Sequence, residues 1–141
     1  YGVVKTFHTI NRGSHAISQG LATALDIPFD KAEIMKKQGT IQNEEAEKVI
    51  NTAVTYIISE INSVLLEYEK EYHRSIGKMI LSGGGSRLPS FLKRAQDEFK
   101  FDVVYGDPFG KVESPSFLEG VLRDSGPEFA VAIGTALKQL Q

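Results

Sequence analysis

Apolar and polar positions along the chain recur at two different periods. From Gly2 to Ile10 the sequence GVVKTFHTI alternates β-branched or aromatic residues with polar ones, which predicts a strand ended by the turn Asn11-Arg12-Gly13-Ser14. Nothing before it starts a domain, so the chain reads as a piece of a longer protein. The period then lengthens. Ile17, Leu21, Ala24 and Leu25 share one face of a helix over 17–25, with Ser14 or a neighbour as its cap and Asp26-Ile27-Pro28 as its end. Asp30 caps a second helix over 31–38, stopped by Gly39. Between Glu44 and Tyr72, Ala46, Val49, Ile50, Ala53, Ile57, Ile61, Val64, Leu65, Tyr68 and Tyr72 hold helical spacing for about eight turns. Glu44, Glu45 and Glu47 suit the positive end of that helix dipole. The stripe keeps no strict heptad, which argues against a coiled coil.

The remainder alternates. Lys78 to Ser82 predicts a buried strand, Pro89 to Phe99 a helix with Phe91, Leu92 and Ala95 inward, and Phe101 to Tyr105 a second strand. Residues 106–126, rich in proline, glycine and serine, read as a long loop. Pro127 opens a closing helix through Leu140, as proline suits the first helical position. This order of elements points to an α/β domain.

Composition narrows the chemistry. The 141 residues carry sixteen basic and eighteen acidic side chains, a formal charge of −2, which gives no bulk attraction to nucleic acid or anionic lipid. Strictly apolar runs are only a few residues long, so direct membrane insertion is not expected. Without cysteine there is no disulfide, zinc–thiolate or thiol chemistry. His8, His15 and His73 show no metal-ligand spacing, and no Ser-His-Asp set or carboxylate pair assembles, so no catalytic residue is assigned.

One segment carries more. Ile80 to Pro89, ILSGGGSRLP, ends a strand in three glycines and feeds a helix. Such a turn is either a sharp structural corner or a place where backbone approaches a ligand. It is neither a Walker loop nor a G-x-G-x-x-G fingerprint. It resembles the adenosine motif of the actin-like ATPase superfamily. Three further segments resemble that superfamily in its order: Gly13 to Ser18, the Ala32-Glu33 pair with Lys36, and Ala130 to Ala136. Within it, the long helix before ILSGGGSRLPSF, the phrase FDVVYGDPF and the ending GPEFAVAIGTALKQL resemble the PilM family of type IV pilus assembly. The cell-division protein FtsA matches less well, and its basic amphipathic tail has no counterpart before Gln141.

The resemblance implies the C-terminal lobe of an actin-like fold, with IIA- and IIB-like subdomains: a mixed sheet flanked by helices, with one long helix. It places residues 1–14 and 76–126 in a sheet-bearing subdomain, 15–75 in a helical one, and 127–141 in a closing helix. Nucleotide-binding residues would be Gly13, Ser14, Glu33, Lys36, Gly83, Gly84, Gly85 and Arg87. ATP with Mg²⁺ would serve the intact protein, with weak hydrolysis at most and no ligand for the fragment alone. Arg87 either covers adenine or is a surface arginine at a helix start. Glu33 and Lys36 either meet ribose and base or form an i, i+3 ion pair on a solvated helix. Two departures stand out: Gly13-Ser14 replaces the usual Gly-Gly, and Ile34 replaces an acid. The superfamily's D-x-G phosphate hairpins are absent from these residues and would lie upstream of Tyr1, as would the groove for a PilN-like inner-membrane partner. The implied location is the cytoplasm, at the inner membrane through partners. The rival functions are a catalytic actin-like ATPase or kinase lobe and an FtsA-like division component. The apolar stripe Phe129, Ala130, Ile133, Ala136, Leu137 and Leu140 lacks a lobe to cover it, which leads to the expectation of a homodimer through 127–141.

Overall fold

The structure is a computed structural model that describes residues 3–39, 43–88 and 90–139. Gly2, Pro89, Leu140 and Gln141, which bound several of the expected elements, lie outside the described residues. The chain forms two compact units, 1–76 and 77–141, so residues 3–14 group with the helical unit.

The first unit holds α1 (Ser14–Leu25), α2 (Phe29–Gln38) and α3 (Glu44–Tyr72). Gly13 stands at the N-cap of α1, so Ser14 is the first helical residue and not the cap. Pro28 stands at the N-cap of α2, and Asp30 lies inside its first turn, where a carboxylate suits the dipole. Asp26 and Gly39 end the two helices in the left-handed conformation, at φ 50° and 64°. Helix α3 starts where the glutamates predict, and the Asn43 side chain accepts from the Glu45 N–H at 2.8 Å.

The core of this unit is Ile17, Leu21 and Ala22 of α1, Ala32 of α2, and Ala46, Ile50, Val54 and Ile58 of α3. The buried line on α3 is a strict i+4 series over its first half. Val49, Ala53 and Ile57 flank it half-exposed, and no residue of 59–72 is fully buried. By length and composition α3 is long and apolar enough to cross a membrane, with a mean hydropathy of 1.4 over the qualifying stretch. Its inward line packs instead against α1, an amphipathic use of the same residues.

The strand expected over 2–10 does not form among the described residues: 3–10 have no regular secondary structure and join no ladder. Alternation tells which side chains share a face, but a strand also needs backbone partners, and no described segment supplies them. Val3, Val4 and Phe7 are accordingly 72%, 80% and 89% exposed.

The second unit is built on a β-α-β crossover. Strand β1 (Lys78–Leu81) pairs in parallel with β2 (Asp102–Tyr105), Lys78 opposite Asp102 and Leu81 opposite Tyr105. Between them runs α4 (Phe91–Glu98), which buries Phe91 and Ala95 as expected, alongside Leu81, Phe99 and Val103. The described sheet is therefore two-stranded and parallel rather than mixed, as a helical crossover requires of the strands it joins.

The closing helix α5 spans Glu119–Gln139, so it begins eight residues before Pro127 and shortens the expected loop. Two 3₁₀ turns, Pro108–Lys111 and Ser116–Leu118, occupy that loop. Proline in a helix interior removes a donor and leaves the carbonyl four residues back without its usual partner. Here Gly126 and Pro127 are both buried. A Cβ on Gly126 would lie 3.2 Å from Pro108 Cδ, so the glycine permits a close approach that anchors the proline-bearing turn.

Candidate functional site

The expected site residues fall into two groups, one in each unit. In the first unit, α1 and α2 converge on one ammonium group. Lys36 Nζ donates to Ser14 Oγ at 2.5 Å, Ser18 Oγ at 2.6 Å, Glu33 Oε2 at 2.7 Å and the Ser14 carbonyl at 3.0 Å. The Ser18 hydroxyl also donates to Glu33 Oε2. Lys37 approaches Glu33 Oε1 at 3.4 Å from the solvent side. Lys36 is 6% exposed and Ser18 fully buried, so the Glu33–Lys36 pair is not the solvated one that its i, i+3 spacing suggests.

An ammonium has three protons, and four oxygens already surround this one. Burying a charge is unfavourable unless it is paired and hydrogen-bonded, and the cluster meets both conditions. Glu33 responds in kind: hydrogen bonds from Lys36 and then Ser18 outweigh partial burial and lower its pKa from 4.5 to about 2. Gly13 has no atom within 4 Å of where a Cβ would sit. Ser18, which completes the cluster, has a sequence signal: it lies one turn after Ser14, next to the inward Ile17.

In the second unit the glycine turn leaves the carboxyl end of β1. In parallel α/β sheets that end is where ligands bind, because loops diverge there and leave a crevice. Gly83 has φ 84° and ψ 161°, a conformation open to glycine alone, and its N–H donates to the Pro127 carbonyl of α5 at 2.5 Å. Gly84 to Arg87 form a 3₁₀ turn, closed by the Ser86 hydroxyl donating to the Gly83 carbonyl at 2.7 Å. A Cβ on Gly84 or Gly85 would find no heavy atom within 4 Å, so the backbone there is open to solvent.

Arg87 turns toward α5, where its guanidinium donates to the Asp124 carbonyl. It lines a cavity of about 560 Å³ with Tyr105, Gly106, Asp107, Arg123 and Asp124. The walls thus come from the turn after β1, the end of β2 and one stretch of α5. Asp107 is occupied in holding its own turn, accepting from the Gly110 N–H at 3.0 Å. Sequence reasoning finds Arg87 but misses Arg123 and Asp124, because residues 106–126 read as a loop. Among the described residues, no group of three or more His, Asp or Glu side chains is placed to hold a metal ion.

These units have a counterpart among solved structures. The chain superposes with a TM-score of 0.74 on a chain of the PilM-PilN type IV pilus biogenesis complex, at 24% identity, over 89% of its own length. It spans 36% of that chain. No curated protein matches it. The family described as type IV pilus assembly protein PilM matches residues 7–140, nearly the whole sequence, and the chain belongs to that family.

Proposed function

We propose that this chain is part of a PilM-like scaffold of the type IV pilus machinery, with an actin-like fold and one side of an ATP-binding cleft. The scaffold works in the cytoplasm and reaches the inner membrane through a PilN-like protein. The observation that carries the nucleotide reading is the glycine turn at the carboxyl end of β1, open at Gly84 and Gly85 and leading to Arg87 at a cavity edge. Open glycine backbone admits a flat nucleoside closely, and a guanidinium held by the Asp124 carbonyl offers its planar face for stacking on a base. Glu33 and Lys36 have a smaller part in this reading. Their polar atoms are spent on each other and on Ser14 and Ser18, so they shape the first unit and add at most a ribose contact through Glu33. Mg²⁺ would be held by phosphates and by residues outside this sequence.

Titration calorimetry with ATP tests the proposal. The 141-residue chain alone is expected to bind weakly, because only adenosine contacts are available to it and the triphosphate finds no cradle of backbone N–H groups. In a protein that includes the residues preceding Tyr1, Gly84→Val is expected to weaken ATP binding by about tenfold or more. The melting temperature should change little, since a Cβ there meets no heavy atom within 4 Å. Unchanged affinity in a folded Gly84→Val variant would refute the adenosine role of the turn.

A further inference from the structure

Pro127 breaks a local rule inside α5. It stands eight residues past the start of the helix, and its side chain is fully buried. In a helix interior proline removes a backbone donor and sets its ring against the carbonyl four residues back, here that of Arg123. Such a residue is unfavourable for the helix itself, and violations of this kind gather at sites that gain something else from them. The close approach of Gly126 to Pro108 holds the turn but makes no use of the missing donor.

The gain lies on the same stretch of backbone. Carbonyls of a regular helix lie along its axis and are spent on N–H groups four residues on. A proline bends the helix and leaves the carbonyls beside it open to donors from the side. The Pro127 carbonyl accepts from the Gly83 N–H at 2.5 Å. The Asp124 carbonyl, in the turn before the ring, accepts from the Arg87 guanidinium. Gly83 precedes the 3₁₀ turn Gly84–Arg87 and Arg87 closes it. The glycine turn is therefore tied to α5 at both ends, with the open backbone of Gly84 and Gly85 between the ties. The Gly83 tie sets the register of the turn on the helix. The Arg87 tie limits the rotation of the guanidinium.

We propose, resting on the nucleotide reading of this turn, that Pro127 is a positioning residue: it opens α5 at one turn so that the Asp124 carbonyl aims Arg87 at the base. With an N–H at position 127 the helix would close its ladder and draw these carbonyls back toward the axis. Arg87 would then turn freely, and a stacking surface that must be ordered at each binding event binds more weakly. A proline kept for packing alone would leave the orientation of Arg87 untouched when replaced by another small apolar residue.

Two measurements test this. Side-chain NMR of the 141-residue chain reads Arg87 without any ligand. A guanidinium held by a carbonyl rotates slowly and gives resolved Nη–H signals, assigned by their loss in Arg87→Lys. In Pro127→Ala they should collapse to the averaged signal of a free arginine, while circular dichroism stays helical. Calorimetry with ATP then uses the protein that includes the residues preceding Tyr1. Pro127→Ala should weaken binding by about tenfold, and Arg87→Ala by at least as much. Because the proline acts through Arg87, the double variant should bind as Arg87→Ala does alone. Unchanged Arg87 signals in a folded Pro127→Ala variant would overturn the proposal, as would losses that add in the double variant. Averaged Arg87 signals in the wild type would overturn it even where Pro127→Ala fails to fold. Gly84→Val separates the two readings. If it weakens ATP binding and Pro127→Ala does not, the positioning role alone falls; if neither does, the nucleotide reading falls and the positioning role with it.

Discussion

The two units handle polar groups in opposite ways. In the first, Ser14, Ser18, Glu33 and Lys36 are turned on one another, with Ser18 and Lys36 buried, so much of their hydrogen-bonding capacity is used internally. In the second, α5 holds the Gly83 N–H and the Arg87 guanidinium while Arg123 and Asp124 line a cavity. Charged side chains serve as a brace in one place and as an open rim in the other. What separates them is saturation: a lysine with four oxygens around it ties helices together, whereas an arginine with one backbone partner keeps donors free for something else.

Breaking the brace should have the largest effect. Lys36→Met removes the common partner of a half-buried carboxylate and two serine hydroxyls, and hydrogen bonds that involve a charged group are each worth about 1.5–3 kcal/mol. Urea unfolding followed by hydrogen exchange on peptides from 14–58 should show this loss in the first unit. A loss under about 1 kcal/mol would mean water replaces the ammonium and the brace is not one.

Acid probes the same contrast less severely. Glu33 has a folded pKa of about 2 against 4.5 ordinarily, so its contribution is fully present above 4.5 and is lost as pH falls toward 2. The shift corresponds to at most about 3.4 kcal/mol, reduced by solvent screening because the Glu33 side chain is 26% exposed. A pH series of melting temperatures should fall across that window in the wild type, and Glu33→Gln should flatten it. A window unchanged by Glu33→Gln would assign the acid response to other carboxylates.

The smallest effects sharpen the picture of the second unit. Gly83→Ala forces an L-residue into φ 84°, a strain of about 1–3 kcal/mol, read as a lower midpoint in thermal unfolding. Gly84→Ala meets no neighbouring atom and should change stability by less than about 0.5 kcal/mol. Equal losses at both positions would show that the turn is uniformly packed and not open on one side.

The long helix and both strands of the sheet are legible in the sequence because their signals are local. The acid-rich start and apolar spacing of α3 fix its span, and its end at Tyr72 agrees. The finer packing is not legible. Val54 and Ile58 carry the core, although the periodic stripe passes beside them through Ala53 and Ile57, because which of two adjacent lines is buried depends on where α1 lies. Helix α5 reads eight residues short because Pro127 is a good opener locally, and only the close contact of Gly126 with Pro108 explains a proline held inside. The Ser14–Ser18–Lys36 convergence joins residues 22 and 18 apart in sequence and leaves no periodic trace. The glycine turn is recognisable by its resemblance to a known motif, and the structure adds what fixes it, two backbone carbonyls of α5.

Helix α3 has a last consequence, in time rather than in space. Its last fully buried residue is Ile58, and the fourteen residues beyond it extend a further ~21 Å with side chains that are half-covered at best. Amides of the stretch that carries the buried Ile50, Val54 and Ile58 can exchange with solvent only when the α1–α3 core opens. Those beyond Ser59 need only local fraying from the His73 end. One continuous helix should therefore show two clocks, a slow one over 50–58 and a fast one over 60–72. The core keeps its contacts while the free end repeatedly unwinds and reforms.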